Sequence, residues 1–328
     1  MTTPAQRGVL WIVSPLYMDS ESFLKLHAKV RSQPRLPLTF KEIQFVVVDD
    51  SAGQDAQIKS LLKLNDVEVI TCPFNLGHQR AIIYALRNIH SRVGSTDLVI
   101  TMDGDGEDKP EDIVNLVDQA LNAEARAMGR SWIVLALRTK RKESPLFKFC
   151  YLVFRLMFFS LTGQTIRSGN FACLPATALQ NLIFHPNFDL CYSSSLVRAS
   201  VPVYYVPCER GVRYAGQSRM NFTRLIMHGV RMLMPFLDKI AIRALVVFAT
   251  LFTAGVLASV AVVGLKLFTS TAIPGWATYC VLLLLTLSSI ALGNFLVLFA
   301  VFSQSQGVSL THIDQSHVPT RNTLKQSA

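Results

Sequence analysis

The sequence predicts an α/β domain built on a largely parallel sheet, followed by a pair of membrane-spanning helices. Three observations predict it. Short β-rich runs alternate with helix-patterned stretches through the N-terminal part of the chain, the pattern of strands joined by crossover helices. An apolar fraction of 50% is high for a wholly soluble chain of 328 residues. The apolar residues are also concentrated: Ala244 to Leu265 carries no formal charge, and Ala277 to Phe302 is a second such span, with Asn294 its most polar member. Each has the roughly 20 residues needed to cross a hydrocarbon core of about 30 Å.

The elements follow in order. "VLWIVSP" is the first candidate strand and "DSESFLKLHAKV" the first helix, its apolar residues at helical spacing. "IQFVVVDD" and "VEVITC" are strands on either side of a helical "QDAQIKSLLKL". "GHQRAIIYALRNI" reads as a helix and "DLVITMD" as a strand. "PEDIVNLVDQAL" starts a helix with Pro110 and two acids in its first turn, and "SWIVLAL" is the last candidate strand. No internal repeat or low-complexity tract is evident, and the tail after Phe302 is polar. The six cysteines form no CxxC pair or metal-type cluster and read as reduced.

Charge places the chain against the membrane. Arg231, Lys239 and Arg243 precede the first span, Arg321 and Lys325 follow the second, and the loop between them carries only Lys266 at its edge. Positively charged flanks stay cytosolic, so the body of the chain is expected in the cytosol, as part of an integral membrane protein. A formal net charge of +10 suits a body lying on an anionic leaflet. The basic residues follow membrane-proximal segments and no nucleic-acid module, which argues against a nucleic-acid partner. "SPLFKFCYLVFRLMFFSLTG", interrupted by Lys148 and Arg155, has the composition of an interfacial helix. "NFTRLIMHGVRMLMPF" sets Arg224, His228 and Arg231 at helical spacing opposite an apolar face, and either stretch is equally readable as a core helix. The expected domains are 1–238, cytosolic, with interface helices near 144–162 and 221–237; 239–303, the two transmembrane helices; and 304–328, a polar cytosolic tail.

The stretch "TMDGDGEDKPEDI" concentrates carboxylates behind an apolar strand. Ligands of open α/β sheets collect beyond the carboxyl ends of the strands, so Asp49, Asp50, Asp103 and Asp105 are expected in one crevice. Clustered carboxylates repel unless a cation shares the site, and a hard divalent ion with diphosphate is the usual companion. An acidic helix N-terminus accounts for Glu107, Asp108, Glu111 and Asp112. It does not account for Asp103 and Asp105, which alternate with Gly104 and Gly106 at the strand end.

The set "PLYMD", "VVVDDSAGQD", "NLGHQRAIIYAL", "VITMDGDGEDKPEDI", "RSGNFACL" and "RYAGQSR", followed by two apolar spans, resembles the polyprenyl-phosphate glycosyltransferases of glycosyltransferase family 2 over essentially the whole chain. The resemblance implies a GT-A (Rossmann-like) domain that transfers a sugar, glucose or mannose in the first instance, from a UDP- or GDP-sugar to a polyprenyl phosphate with inversion. It implies Mg²⁺ or Mn²⁺ held by Asp103, Asp105 and Glu107. It assigns Pro15, Tyr17, Asp19, Asp49, Asp50 and Gly104 to the nucleotide-sugar, with Asp19 standing where Glu is more usual. Arg138, Arg213 and Arg219 are assigned to the lipid phosphate, with Ser168 and Asn170 as positioning residues; Asn170 replaces an Asp found in some relatives. Catalysis is thereby expected of Asp103, Asp105 and Arg213. The resemblance also implies a bacterial inner membrane or endoplasmic-reticulum location and homo-oligomers formed through the membrane region. The QxxRW signature of processive synthases is not found, which favours single-sugar transfer. A family 2 enzyme acting on another lipid acceptor, such as a diacylglycerol-type lipid, and a catalytically silent nucleotide-binding membrane adaptor are the competing readings.

Overall fold

Alternation along the first strand sets up a core with two faces. Leu10 and Ile12 point into one hydrophobic cluster and Trp11 and Val13 into the other, as side chains must on successive residues of a strand. The computed structural model describes residues 6–139, 145–165, 168–185, 187–215, 222–269 and 275–305. Arg219, the Ser168 side chain and the tail from residue 306 onward lie outside the described residues.

In chain order the first elements are β1 (Arg7–Leu16), α1 (Ser20–Arg31), α2 (Leu36–Thr39), β2 (Phe40–Asp49), α3 (Ile58–Leu61), β3 (Val67–Thr71) and α4 (His78–Ile89). Then come β4 (Leu98–Thr101), α5 (Pro110–Ala127), β5 (Ile133–Arg138), α6 (Pro145–Thr162), β6 (Ser168–Pro175), α7 (Ala176–Ile183), α8 (Tyr192–Arg198) and β7 (Val203–Cys208). The remaining helices are α9 (Phe222–Leu233), α10 (Leu237–Phe268) and α11 (Trp276–Ser305). Among the described residues seven strands form one sheet in the order β3-β2-β1-β4-β6-β5-β7. The sheet is parallel except at β6, which runs antiparallel to both β4 and β5. The expectation of a largely parallel sheet holds, with β6 and β7 added to it.

The helices form where the pattern asks for them. α1 buries Phe23, Leu26 and Val30 on one stripe, carries Glu21 in its first turn bonded to Lys25, and ends in Lys29 and Arg31, each suited to the helix dipole. α5 starts on Pro110 and buries Ile113, Leu116, Val117 and Ala120. With α1 and α5 on one face and α4, α7 and α8 on the other, the sheet is covered on both sides. Each fully buried Phe such as Phe23 or Phe45 contributes about 2–3 kcal/mol. The expected helix over "QDAQIKSLLKL" shrinks to the single turn α3: Asp55 accepts from Ser20 Oγ and the Gln57 N–H at its start, and the flanking residues close tighter three-residue turns, Ile58 N–H to Asp55 O at 3.1 Å and Leu64 N–H to Leu61 O at 3.1 Å, in place of α-helical bonds.

β1 is the topological switch point. The chain moves from it to β2 and β3 on one side and to β4 on the other, which opens a crevice beyond the carboxyl ends of β1, β2 and β4.

Contacts divide the chain into two units, Met1–Pro235 and Phe236–Ala328. In the second, α10 and α11 pack along each other, with Gly255 so close to Ser288 that a Cβ would stand 2.1 Å from the hydroxyl. Hydroxyls of Thr250, Ser259 and Ser288 bond back to carbonyls one turn earlier, which satisfies them in an apolar surround. Among the described residues two helices are long and apolar enough to cross a membrane, and most of their large side chains, Leu251, Leu257, Leu283 and Val297 among them, are exposed.

Candidate active site

β4 ends at Thr101, and the acidic loop follows directly into α5. Gly104 lets the loop press on the end of β1, since a Cβ there would lie 2.3 Å from Leu16 Cδ2. Gly106 has φ +90°, a conformation L side chains rarely adopt. Oxygens of Asp103, Asp105 and Glu107 converge within 4.8 Å of one another. Three carboxylates so disposed suit a hard divalent cation with oxygen ligands.

Cationic groups surround this loop. Arg213 pairs with Asp105, and Arg210 with Glu107, its Nε donating at 3.1 Å. Arg138, at the end of β5, donates to Asp108 Oδ1 at 3.1 Å and stands 3.7 Å from Asp103. The His78 imidazole, at the start of α4, lies 3.0 Å from Asp103 Oδ1. Electrostatics follow from these contacts. Burial alone would raise Asp103, but His78, Arg138 and Asn170 outweigh it and hold the carboxyl well below the usual carboxylate range. Burial and the Asp103 charge push Asp105 and Asp108 up. Burial opposes the His78 imidazolium, yet Asp103 more than compensates and raises it.

The segment carrying Arg210 and Arg213 is laid on the loop by its backbone. Gly211 N–H donates to Glu107 O at 2.8 Å and Tyr214 N–H to Asp105 O at 2.9 Å. A Cβ on Gly211 would meet Gly106 O at 2.3 Å, and the Tyr214 ring covers Gly106 with Lys29 Nζ 4.4 Å above its centroid.

A polar relay backs the site. Gln79 Nε2 donates to Asn170 Oδ1, and Asn170 Nδ2 reaches Asp103 Oδ1 at 3.4 Å and His78 Nε2 at 2.5 Å. Thr101 Oγ1 donates to the Asn170 carbonyl at 2.6 Å, so Tyr192 O–H must be the donor in its 2.7 Å bond to Thr101.

The residues expected from the sequence are thus distributed unevenly. Asp103, Asp105, Glu107, Arg138, Arg213 and Asn170 come together around one loop. Gly104 lies in it. Pro15 is buried in β1, Tyr17 is 45% exposed beyond it, and Asp19 precedes α1 without a side-chain capping bond. Asp49 is 1% exposed and turned onto its own loop, accepting from Ser51 N–H at 2.9 Å and Gly53 N–H at 3.1 Å. Asp50 accepts from Leu76 N–H at 2.6 Å and Gly77 N–H at 3.0 Å, which pins the entry to α4 and so places His78. His78, Gln79, Asp108, Arg210 and Tyr214 were not singled out from the sequence. The readable signal for the first two was a polar pair opening the otherwise apolar-striped "GHQRAIIYAL".

The sequence model of Glycosyl transferase family 2 matches residues 11–181, which span β1 through most of α7 and include the acidic loop. The chain belongs to glycosyltransferase family 2. Its sheet and crevice are those of a GT-A-like mixed α/β domain. Similar solved structures include TarS 1–349 of S. aureus, at 13% identity and TM-score 0.40, with 70% of this chain and 71% of that one covered. They include the complex of the same TarS fragment with UDP, at 12% identity and TM-score 0.37, covering 92% and 93%. Mannosyl-3-phosphoglycerate synthase from Rubrobacter xylanophilus is a third, at 12% identity and TM-score 0.42, covering 70% and 72%. No curated protein matches the chain. These likenesses are too distant to assign a substrate, so membership rests on the family match.

Proposed function

We propose that this family 2 glycosyltransferase moves a single sugar, glucose or mannose, from a UDP- or GDP-sugar to a polyprenyl phosphate at the cytosolic face of a membrane, with inversion. The observation that carries the reading is the meeting of a three-carboxylate loop with Arg138, Arg210 and Arg213 in a chain that also holds two helices able to span a bilayer. One set of groups suits a leaving diphosphate and the other an anionic acceptor.

Asp103, Asp105 and Glu107 would hold Mg²⁺ or Mn²⁺, which supplies Lewis-acid neutralisation of the departing nucleoside diphosphate. Arg138 sits behind Asp103 through Asp108 and tempers the negative potential where an already anionic donor must approach. Arg213, whose planar guanidinium suits phosphate, is the candidate to present the acceptor. Its present partner, Asp105, is the group a cation would engage, so loading the loop would release the arginine toward the acceptor. The attacking oxygen belongs to a phosphate monoester with a second pKa near 6, so at neutral pH it is already largely a nucleophile. A general base is therefore not compulsory, and Asn170 in place of an Asp is compatible with turnover.

Membrane attachment of the first unit is supported by two faces. Leu152, Leu156 and Phe159 of α6 and Ile226, Met227 and Val230 of α9 are exposed, while Gly229 of α9 packs on Phe154 of α6. Such apolar faces suit an interfacial seat. The test is incubation of membranes containing the protein with labelled nucleotide sugars, with and without undecaprenyl or dolichyl phosphate. Label should enter lipid only with the prenyl phosphate. Equal labelling without it points to another lipid acceptor, and no labelling with any donor points to a silent nucleotide-binding protein; either result overturns the reading.

A further inference from the structure

A carboxamide can be set in either of two orientations, and in this site one backbone N–H decides which. Ser193 N–H, which can only donate, meets Gln79 Oε1 at 3.0 Å, and Ser193 Oγ and Cys191 Sγ reach the same oxygen at 3.3 and 3.5 Å. Gln79 is 8% exposed, so water does not offer it an alternative partner. With Oε1 committed, Nε2 must face Asn170 and must find an acceptor there, which only Oδ1 provides. Asn170 is then obliged to turn its NH₂ group toward Asp103 and His78.

We propose that Gln79 is a positioning residue of the transfer site: it reads the Ser193 N–H and holds the Asn170 amide so that its NH₂, and not its carbonyl, faces Asp103. The inference rests on the reading of Asp103 as a ligand of the donor's cation. It also explains why an amide works at position 170. An Asp there would bring a second carboxylate to the place 3.4 Å from Asp103 where Asn170 now offers a donor. His78 Nε2 is the third party, 2.5 Å from the Asn170 NH₂ and 3.0 Å from Asp103, and it can serve only one of them at a time. The NH₂ of Asn170 thus keeps Asp103 supplied with a donor whichever partner the imidazole takes.

Gln79→Glu tests this with no change of shape. One oxygen of the new carboxylate still accepts from Ser193 N–H. The other opposes Asn170 Oδ1, so the Asn170 amide turns over and shows its carbonyl to Asp103. Two measurements on the full chain in detergent follow. With selectively ¹⁵N-labelled asparagine, the Asn170 NH₂ signal, identified by its loss in Asn170→Ala, should show nuclear Overhauser contacts to the His78 ring in the unsubstituted protein and none in Gln79→Glu. With Mn²⁺ as the probe, Gln79→Met, which removes the donor without adding a charge that would itself attract the cation, should weaken binding about tenfold or more, the scale of a lost hydrogen bond to a charged group. In an Asn170→Ala background the same substitution should change Mn²⁺ binding less than about twofold, since coupled residues are not additive. Gln79→Met keeps the length of the side chain, so the Mn²⁺ measurement stands even if the carboxylate variant does not fold.

Persistence of the His78 contacts in Gln79→Glu, or an equal loss of Mn²⁺ affinity with and without Asn170, overturns the proposal. Failure of the unsubstituted protein to bind Mn²⁺ overturns the cation reading instead, and the ligand-free contacts then decide the role of Gln79 alone.

Discussion

Gly106→Ala perturbs the junction between the two halves of the proposed site. Gly106 has φ +90°, where an L residue costs about 1–2 kcal/mol. The new Cβ would also lie 2.6–2.7 Å from three atoms of the Tyr214 ring. Ordinary carbon contact begins near about 3.5 Å, so the ring must withdraw by about 1 Å. That movement strains the 2.9 Å bond from Tyr214 N–H to Asp105 O, worth about 1 kcal/mol, and draws the neighbouring Arg213 off Asp105. If about 2 kcal/mol of this distortion is felt in the transition state, transfer falls about 30-fold. Gly129→Ala is the control: φ is +81° there but nothing lies within 4 Å of a Cβ, so it carries the backbone strain alone. The assay is kcat/KM with respect to lipid phosphate, with thermal unfolding in parallel. Gly106→Ala should lose activity well beyond Gly129→Ala while both lose a few degrees of Tm. A Gly106→Ala enzyme within about threefold of normal transfer refutes the docking of the Arg213 segment as a functional contact.

Other predictions follow from the same geometry. Asp105→Ala should abolish transfer while the protein still inserts and folds, and near-normal turnover would remove Asp105 from the site. Arg213→Ala should raise the KM for lipid phosphate far more than that for the donor; an equal rise in both marks a structural arginine. Burial pushes the Cys72, Cys173 and Cys208 thiols up to about 12, and none is more than 4% exposed. Because a raised thiol pKa leaves almost no thiolate at pH 8, these three should resist an aromatic disulfide reagent in the folded protein and react on unfolding. Modification of any of the three in the native state, followed by peptide mapping, would contradict the burial.

Much of the sheet was legible because strand and helix obey different periods. β1 to β5 are apolar runs, with acidic residues after β2 and β4 as endings, and the helices between them repeat near every third or fourth residue. β6 was not, since "SGNFACLP" has no strong alternation and takes its antiparallel place from the strands β4 and β5 that receive it. The acidic loop was readable from Asp103 and Asp105 alternating with glycines. Asp49 and Asp50 were harder. Their position at a strand end is the same as that of ligand-binding carboxylates, and only the fold shows that Asp49 accepts from the N–H groups of Ser51 and Gly53 and Asp50 from those of Leu76 and Gly77. Asp108 illustrates the converse: an acid expected of a helix start instead accepts from Asp103 N–H at 2.9 Å and anchors Arg138. Such roles depend on which backbone N–H or guanidinium the fold brings to each carboxylate, from 2 residues away at Asp49 to 30 at Asp108, and spacing does not encode them.

The central claim is that the carboxylate loop serves a departing nucleoside diphosphate while the arginines beside it serve a prenyl phosphate. The most direct measurement is a single-turnover count on the purified protein in lipid vesicles with Mn²⁺, scoring nucleoside diphosphate released against glycosylated prenyl phosphate formed. The account predicts equal amounts of the two, both lost on chelation and both dependent on added undecaprenyl or dolichyl phosphate. Release that proceeds equally well without prenyl phosphate, or no release from any common UDP- or GDP-hexose, would contradict it.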